Sequence, residues 1–189
     1  SRISIVDILA AWVRHGSAKM TKALRGQYEF PAGIDFGGTE VEREAVVAVQ
    51  ASLVASWMLV GFVHGVMNTD NLSVLGLTID YGPFGFLDDV DPAWTPNTTD
   101  LPGRRYCYAA QPQVAHWNLA ALASALAPLF AEAAPLQAGM AAYIEALQTA
   151  QARMWADKLG LVDGRDEDVG LIAALFNTLQ AVEADFTLF

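Results

Sequence analysis

Positive charge, cysteine and long apolar runs are all scarce in this sequence, and each shortage closes off a class of function. There are 11 Lys and Arg against 21 Asp and Glu, for a formal net charge of −10. Without a Lys/Arg cluster the chain lacks the basic footprint that phosphate backbones and anionic lipid surfaces require, so neither nucleic acid nor a membrane is an expected partner. The single cysteine, Cys107, excludes an intrachain disulfide and a cysteine-based zinc site. It lies between aromatics in RRYCYAAQP and reads as a buried structural thiol. The longest apolar stretch, ASLVASWMLVGFVHGVM, contains His64 and runs into polar residues, which fits a core helix better than a membrane span. No G-x-G-x-x-G loop is present. The first residues carry neither an initiator Met nor a signal-peptide layout, so the chain is expected to be a segment of something longer.

What remains is ample material for a core. Of the 189 residues, 53% are hydrophobic and 17% charged, which places the chain among globular domains and predicts one domain over 1–189. Apolar residues recur at helical spacing over 3–15, 113–130, about 135–159 and about 167–184. Thr39 followed by EVERE has the form of a helix start, predicting a helix from there to about Val60 with Val46, Val49, Leu53 and Trp57 on its inner face. Residues 16–39 read as a loop excursion, and the proline-rich 81–112 as an extended functional loop. In LSVLGLTID the period changes to two, which predicts a short hairpin broken at Gly76. The expected class is mainly α, with a small β-hairpin carrying the unusual residues. Trp57, Trp117 and Trp155 are assigned to the core, His15 to a helix end, and His116 to a satisfied position on a helix.

The chemistry concentrates in FVHGVMNTDNLSVLGLTIDYGPFGFLD, residues 62–88. Protein kinases carry H-R-D-x-x-x-x-N followed by D-F-G. Here His64 and Asn71 keep the His-to-Asn spacing, and Asp80-Tyr81-Gly82 stands where D-F-G would, but Val66 occupies the position of the catalytic aspartate. Asn71 offers an amide oxygen and Asp80 a carboxylate, hard ligands suited to Mg2+ (or Mn2+) that also meets nucleotide phosphates. A hairpin between them would bring the two together, and Asp80 would thereby bind nucleotide as well as metal. Asp70 is the one carboxylate in residues 62–79 and is the natural substitute for the missing base. Taken singly, Asn68, Asp70 and Asn71 are ordinary turn formers and Asp80 an ordinary cap; the ordered set is what points to a site. His64 is read as shaping the loop by hydrogen bonding rather than as a base, and Asp88 and Asp89 as fixing the loop, with a second metal site as their alternative. Asp35-Phe36-Gly37 spells D-F-G literally, but it precedes the catalytic-loop candidate and reads as a turn.

The segment HGVMNTDNLSVLGLTIDYGPFGFLDD closely resembles the signature of the selenoprotein O family, protein adenylyltransferases with a kinase-like fold. The similarity continues through GRRYCYAAQPQVAHWNLAALASAL, RMWADKLGL and the terminal ADFTLF, covering about residues 40–189 and leaving 1–39 poorly matched. The resemblance implies a protein-kinase-like large (C-terminal) lobe. It also implies ATP as substrate, bound so that its α-phosphate faces the acceptor, and AMP transfer to Ser, Thr or Tyr hydroxyls with release of pyrophosphate. In the family's N-T-D-N motif the aspartate corresponds to Asp70, the proposed proton acceptor, and the following Asn71, with Asp80 of D-Y-G, to the metal ligands. The family's glycine-rich loop and its nucleotide-binding Lys and Arg belong to a smaller N-terminal lobe, which is an expected partner from the same chain, and the isolated segment is expected to be inactive. Family members occur in mitochondria and in the bacterial cytosol. Two other functions fit the same residues: a kinase-like phosphotransferase and a non-catalytic pseudokinase binding module.

Overall fold

The computed structural model describes residues 40–161, 168–182 and 184–188. The expected helix at 3–15, the loop at 16–39, the Thr39 cap and the Asp35-Phe36-Gly37 turn lie outside them. Within the described residues the chain is mainly helical: α1 Glu40–Leu59, α2 Gln111–Leu126, α3 Ala134–Leu159 and α4 Asp168–Ala181. Both α2 and α3 take a proline in the first turn, where its missing N–H costs no helical bond. α3 stops at Gly160, whose φ of 65° provides the left-handed cap and returns its N–H toward the Ala156 and Asp157 carbonyls.

α1 packs along α3 and against α2. Its inner face differs from the expected one: Val46, Val47, Gln50, Ala51, Val54, Ala55 and Trp57 are buried, whereas Val49 is 40% exposed. A polar residue joins this face because the Gln50 amide donates to the Ser73 carbonyl, a bond that periodicity alone does not reveal. Trp57 and Trp155 are buried as expected, but Trp117 is 52% exposed.

The two-stranded sheet is antiparallel, β1 Phe62–Val63 against β2 Gly85–Phe86, with Phe62 opposite Phe86 and Val63 opposite Gly85. The hairpin expected within LSVLGLTID shrinks to one antiparallel bridge, Leu72 to Thr78, around a turn in which Gly76 N–H donates to Ser73 O at 3.0 Å. A half-exposed strand alternates its faces, but Leu72, Ser73 and Val74 are all buried, so this stretch inserts into the core instead of running as a ladder.

Beyond β2 the proline-rich segment is held by backbone bonds from Tyr108 N to Trp94 O and from Ala109 N to Pro92 O, at 3.0 and 2.9 Å. The end of the described chain returns here: Asp89 bridges Asp185, and Phe186 N donates to Asp88 O at 2.7 Å. Phe186 is fully buried beside Tyr108 and Phe176. Asp88 and Asp89 thus fix the loop through their backbones.

Candidate functional site

The strands β1 and β2 bracket an irregular loop, residues 64–84, much of it buried. Irregular buried backbone still has to be hydrogen-bonded, and here amide side chains supply the partners. Gln111, at the start of α2 and wholly buried, donates from Nε2 to Phe62 O at 2.9 Å and accepts the His64 N–H on Oε1 at 3.0 Å. Its amide takes the edge of β1 that β2 leaves open, in place of a third strand. Two turns along α2, the buried Asn118 donates to Met67 O at 2.9 Å. Asn97 donates to Gly65 O, and Asn71 to Val66 O, each at 3.0 Å. The Phe62 carbonyl and three consecutive loop carbonyls, at 65–67, are therefore claimed by Gln or Asn. Gly65 has a φ of 78°, and a Cβ there would lie 2.4 Å from the Pro83 carbonyl oxygen, so only glycine lets the two arms of the loop pass this closely.

His64 is the hub. Its ring is buried, with Nε2 2.8 Å from Ile79 O and Nδ1 3.4 Å from the Val66 N–H. Val66 N can only donate, so Nδ1 accepts and Nε2 carries the proton. Burial lowers the pKa from 6.5, against smaller upward pulls from the Ile79 hydrogen bond and the Asp80 charge. A neutral imidazole with both nitrogens engaged acts as a structural bridge across the loop.

The predicted site residues radiate from this hub. Asn71 reaches Val66, Val66 reaches His64, and His64 reaches the residue preceding Asp80. The Leu72–Thr78 bridge independently closes the chain between them. With Nδ2 of Asn71 occupied by Val66, its Oδ1 is uncommitted among the described residues. Asp80 is exposed and has a φ of 57°, unusual for a non-glycine residue, with its carbonyl accepting from Gly82 N at 2.7 Å. No hydrogen bond or ion pair within the described residues engages its carboxylate. Asp70 sits exposed in the 3-10 turn Thr69–Asn71, next to Asn71 in sequence.

Among the described residues no group of three or more His, Cys, Asp and Glu could hold a metal ion. An all-protein metal cage is thus not offered. Asn71 and Asp80 contribute one amide oxygen and one carboxylate, hard donors of the kind magnesium takes when most of its shell is phosphate and water.

Beside the site lies an aromatic surface. Tyr81, Phe84 and Phe86 are 61%, 43% and 50% exposed. They are rooted in the core through Phe62, whose ring centroid is 5.8 Å from Phe84, 5.4 Å from Phe86 and 5.5 Å from the buried Trp57.

Sequence reasoning found the ordered set but missed Gln111, Asn118 and Asn97, which hold its backbone in place. A signal was available for two of them: amides spaced by seven on an otherwise apolar helical stripe.

Comparison with known proteins bears on the same segment. The family described as Protein adenylyltransferase SelO matches residues 41–189. The Protein nucleotidyltransferase YdiU of Rhodopirellula baltica is 58% identical over 147 residues, 77% of this chain and 27% of the relative. The protein of the same name from Xanthomonas campestris is 51% identical over 183 residues, 97% of this chain and 34% of the relative. That alignment extends into residues 1–39, which the family model does not cover. The chain spans about a third of the length of the curated relatives it matches. A family match over most of the chain and identity above one half carry the assignment: the chain belongs to the SelO family of protein adenylyltransferases.

Proposed function

We propose that this chain is the metal- and base-bearing, kinase-like large lobe of a protein adenylyltransferase that moves AMP from ATP to Ser, Thr or Tyr hydroxyls of other proteins. The observation that carries the reading is the pair of uncommitted oxygens, Asn71 Oδ1 and the Asp80 carboxylate, tied through one neutral histidine, with Asp70 exposed beside them. A Mg2+ ion (or Mn2+) held by Asn71 and Asp80 would compensate the phosphate charge of bound ATP. The acceptor oxygen attacks the α-phosphorus as the bond from that phosphorus to the bridging β-oxygen breaks. Pyrophosphate leaves, and the hydroxyl proton passes to Asp70. Val66 at the usual base position fits a reaction centre displaced from that of a kinase, since the carboxylate has moved with it.

The exposed rings of Tyr81, Phe84 and Phe86 form the face on which the smaller nucleotide-binding lobe of the same protein would close, contributing phosphate-binding Lys and Arg. The test is mass spectrometry of acceptor protein incubated with the full-length protein, ATP and magnesium. Addition of AMP, abolished by Asp70→Ala, is the expected result. Addition of phosphate would make the protein a phosphotransferase, and no modification would leave a binding module.

A further inference from the structure

We infer that Tyr106 is a positioning residue that sets the turn carrying Asp70, acting through Asn68. Asn68 stands at the cap of the 3-10 turn Thr69–Asn71, where an asparagine ordinarily folds its side-chain oxygen back onto the first N–H groups. Here it makes no such bond. Its Oδ1 instead accepts from the Tyr106 hydroxyl, 38 residues away in sequence, at 2.5 Å. The entry to the turn is thus fixed from outside.

Tyr106 is itself well anchored for that task. Both oxygens of Asp100 are spent on the segment that presents it, accepting the N–H of Arg105 at 3.0 Å and of Tyr106 at 2.7 Å. The Arg105 guanidinium lies over the Tyr106 ring, 5.7 Å from its centroid, and over Trp117 at 4.7 Å. The ring also packs on the main core cluster. Among the described residues the turn is otherwise held by its own Asn71 N–H to Asn68 O bond at 3.0 Å and by backbone-directed amides, Asn118 on Met67 and Asn71 on Val66. The Tyr106–Asn68 bond ties the turn, side chain to side chain, to a distant segment.

The bond is exposed, and both partners would meet water if it were lost, so it adds little to stability. What it restricts is the placement of Asp70, two residues beyond Asn68 and without a side-chain hydrogen bond of its own among the described residues. A general base has to lie within hydrogen-bond reach of the acceptor hydroxyl, and small misplacements are costly in rate. This role rests on the reading of Asp70 as the proton acceptor.

The experiment measures AMP transfer by the full-length protein and its Tyr106→Phe, Asn68→Ala and Asp70→Ala variants, with ATP affinity and thermal midpoint taken alongside. Tyr106→Phe keeps the ring, its packing and the Arg105 stack, and removes only the hydroxyl. It is expected to lower kcat about tenfold, with the KM for ATP and the thermal midpoint nearly unchanged. Asn68→Ala should match it, and the double variant should be no worse than either single one. In the Asp70→Ala background Tyr106→Phe should cost nothing further. Unchanged kcat in Tyr106→Phe, additive losses in the double variant, or a further loss in the Asp70→Ala background would overturn the inference. Absence of AMP transfer by the unmodified protein would instead overturn the adenylyltransferase reading beneath it.

Discussion

The ring of His64 and the carbonyl of Ile79, 15 residues apart in sequence, are joined by a 2.8 Å hydrogen bond. It fixes the backbone one residue before Asp80 from a ring whose other nitrogen holds Val66, and Val66 in turn orients Asn71. One neutral side chain therefore sets the spacing of both proposed metal ligands.

That neutrality makes a pH dependence. Burial lowers the His64 pKa below 6.5, so above 6.5 the ring is neutral in folded and unfolded chains alike and its contribution to stability is fully present. Below 6.5 the unfolded chain takes up the proton first, and stability falls until the folded pKa is passed. Protonation also removes the acceptor that Val66 N–H requires. Thermal midpoints of the full-length protein and of His64→Gln, measured between about pH 7.5 and 5, should diverge in shape, the variant losing this part of the acid slope. Parallel curves would mean that the ring titrates as if in water.

Gln111 offers a sharper test of the scaffold. Gln111→Leu keeps the volume but leaves Phe62 O and His64 N buried without partners, at a cost of about 1–3 kcal/mol for each. The expected loss of about 2–6 kcal/mol should appear as a lower urea midpoint, with faster amide exchange at His64. Gln111→Glu would be no rescue, because a carboxylate accepts from the His64 N–H but cannot donate to Phe62 O.

The contrast between His64 and Gln111 explains what was legible in the sequence. The four described helices were visible because their apolar residues repeat at three and four, and the candidate site was drawn from the order that His64, Asp70, Asn71 and Asp80 keep along one short segment. Partners of the loop backbone were not, since Gln111, Asn118 and Asn97 act over 32 to 51 residues and only the folded chain brings them there. The same blindness misplaced Val49: in VVAVQASLVASW nearly every position is apolar, and the buried face includes Gln50, bonded to the Ser73 carbonyl, in place of Val49. It also drew a hairpin at 72–79, where period-two apolarity reflects insertion into the core.

Gly65 should not tolerate even a methyl group. Its left-handed backbone costs an alanine about 1–2 kcal/mol. The added Cβ would also meet the Pro83 carbonyl at 2.4 Å, and that is backbone which cannot swing aside. Gly65→Ala is expected to destabilise the protein by more than about 2 kcal/mol and to separate the two arms that carry Asn71 and Asp80, with transfer activity lost. Near-normal thermal stability in this variant would mean that the arms do not pass so closely.

The division of labour between the carboxylates is the most direct test of the mechanism. Asp80 and Asn71 offer uncommitted oxygens to a cation, so in the full-length protein Asp80→Ala and Asn71→Ala should lose magnesium-dependent ATP binding along with turnover, because the phosphate charge is left uncompensated. Asp70 lies on the exposed turn and is not assigned to the metal, so Asp70→Ala should bind ATP almost normally while AMP transfer falls about a hundred- to ten-thousand-fold, the usual contribution of a general base. Calorimetric titration with ATP and magnesium, beside a transfer assay, measures both quantities on the same preparations. Equal loss of binding in Asp70→Ala and Asp80→Ala would make Asp70 a third ligand and move the proton to another acceptor. Full transfer by Asp70→Ala would remove it from the reaction, and with it the explanation of why a valine can stand at position 66.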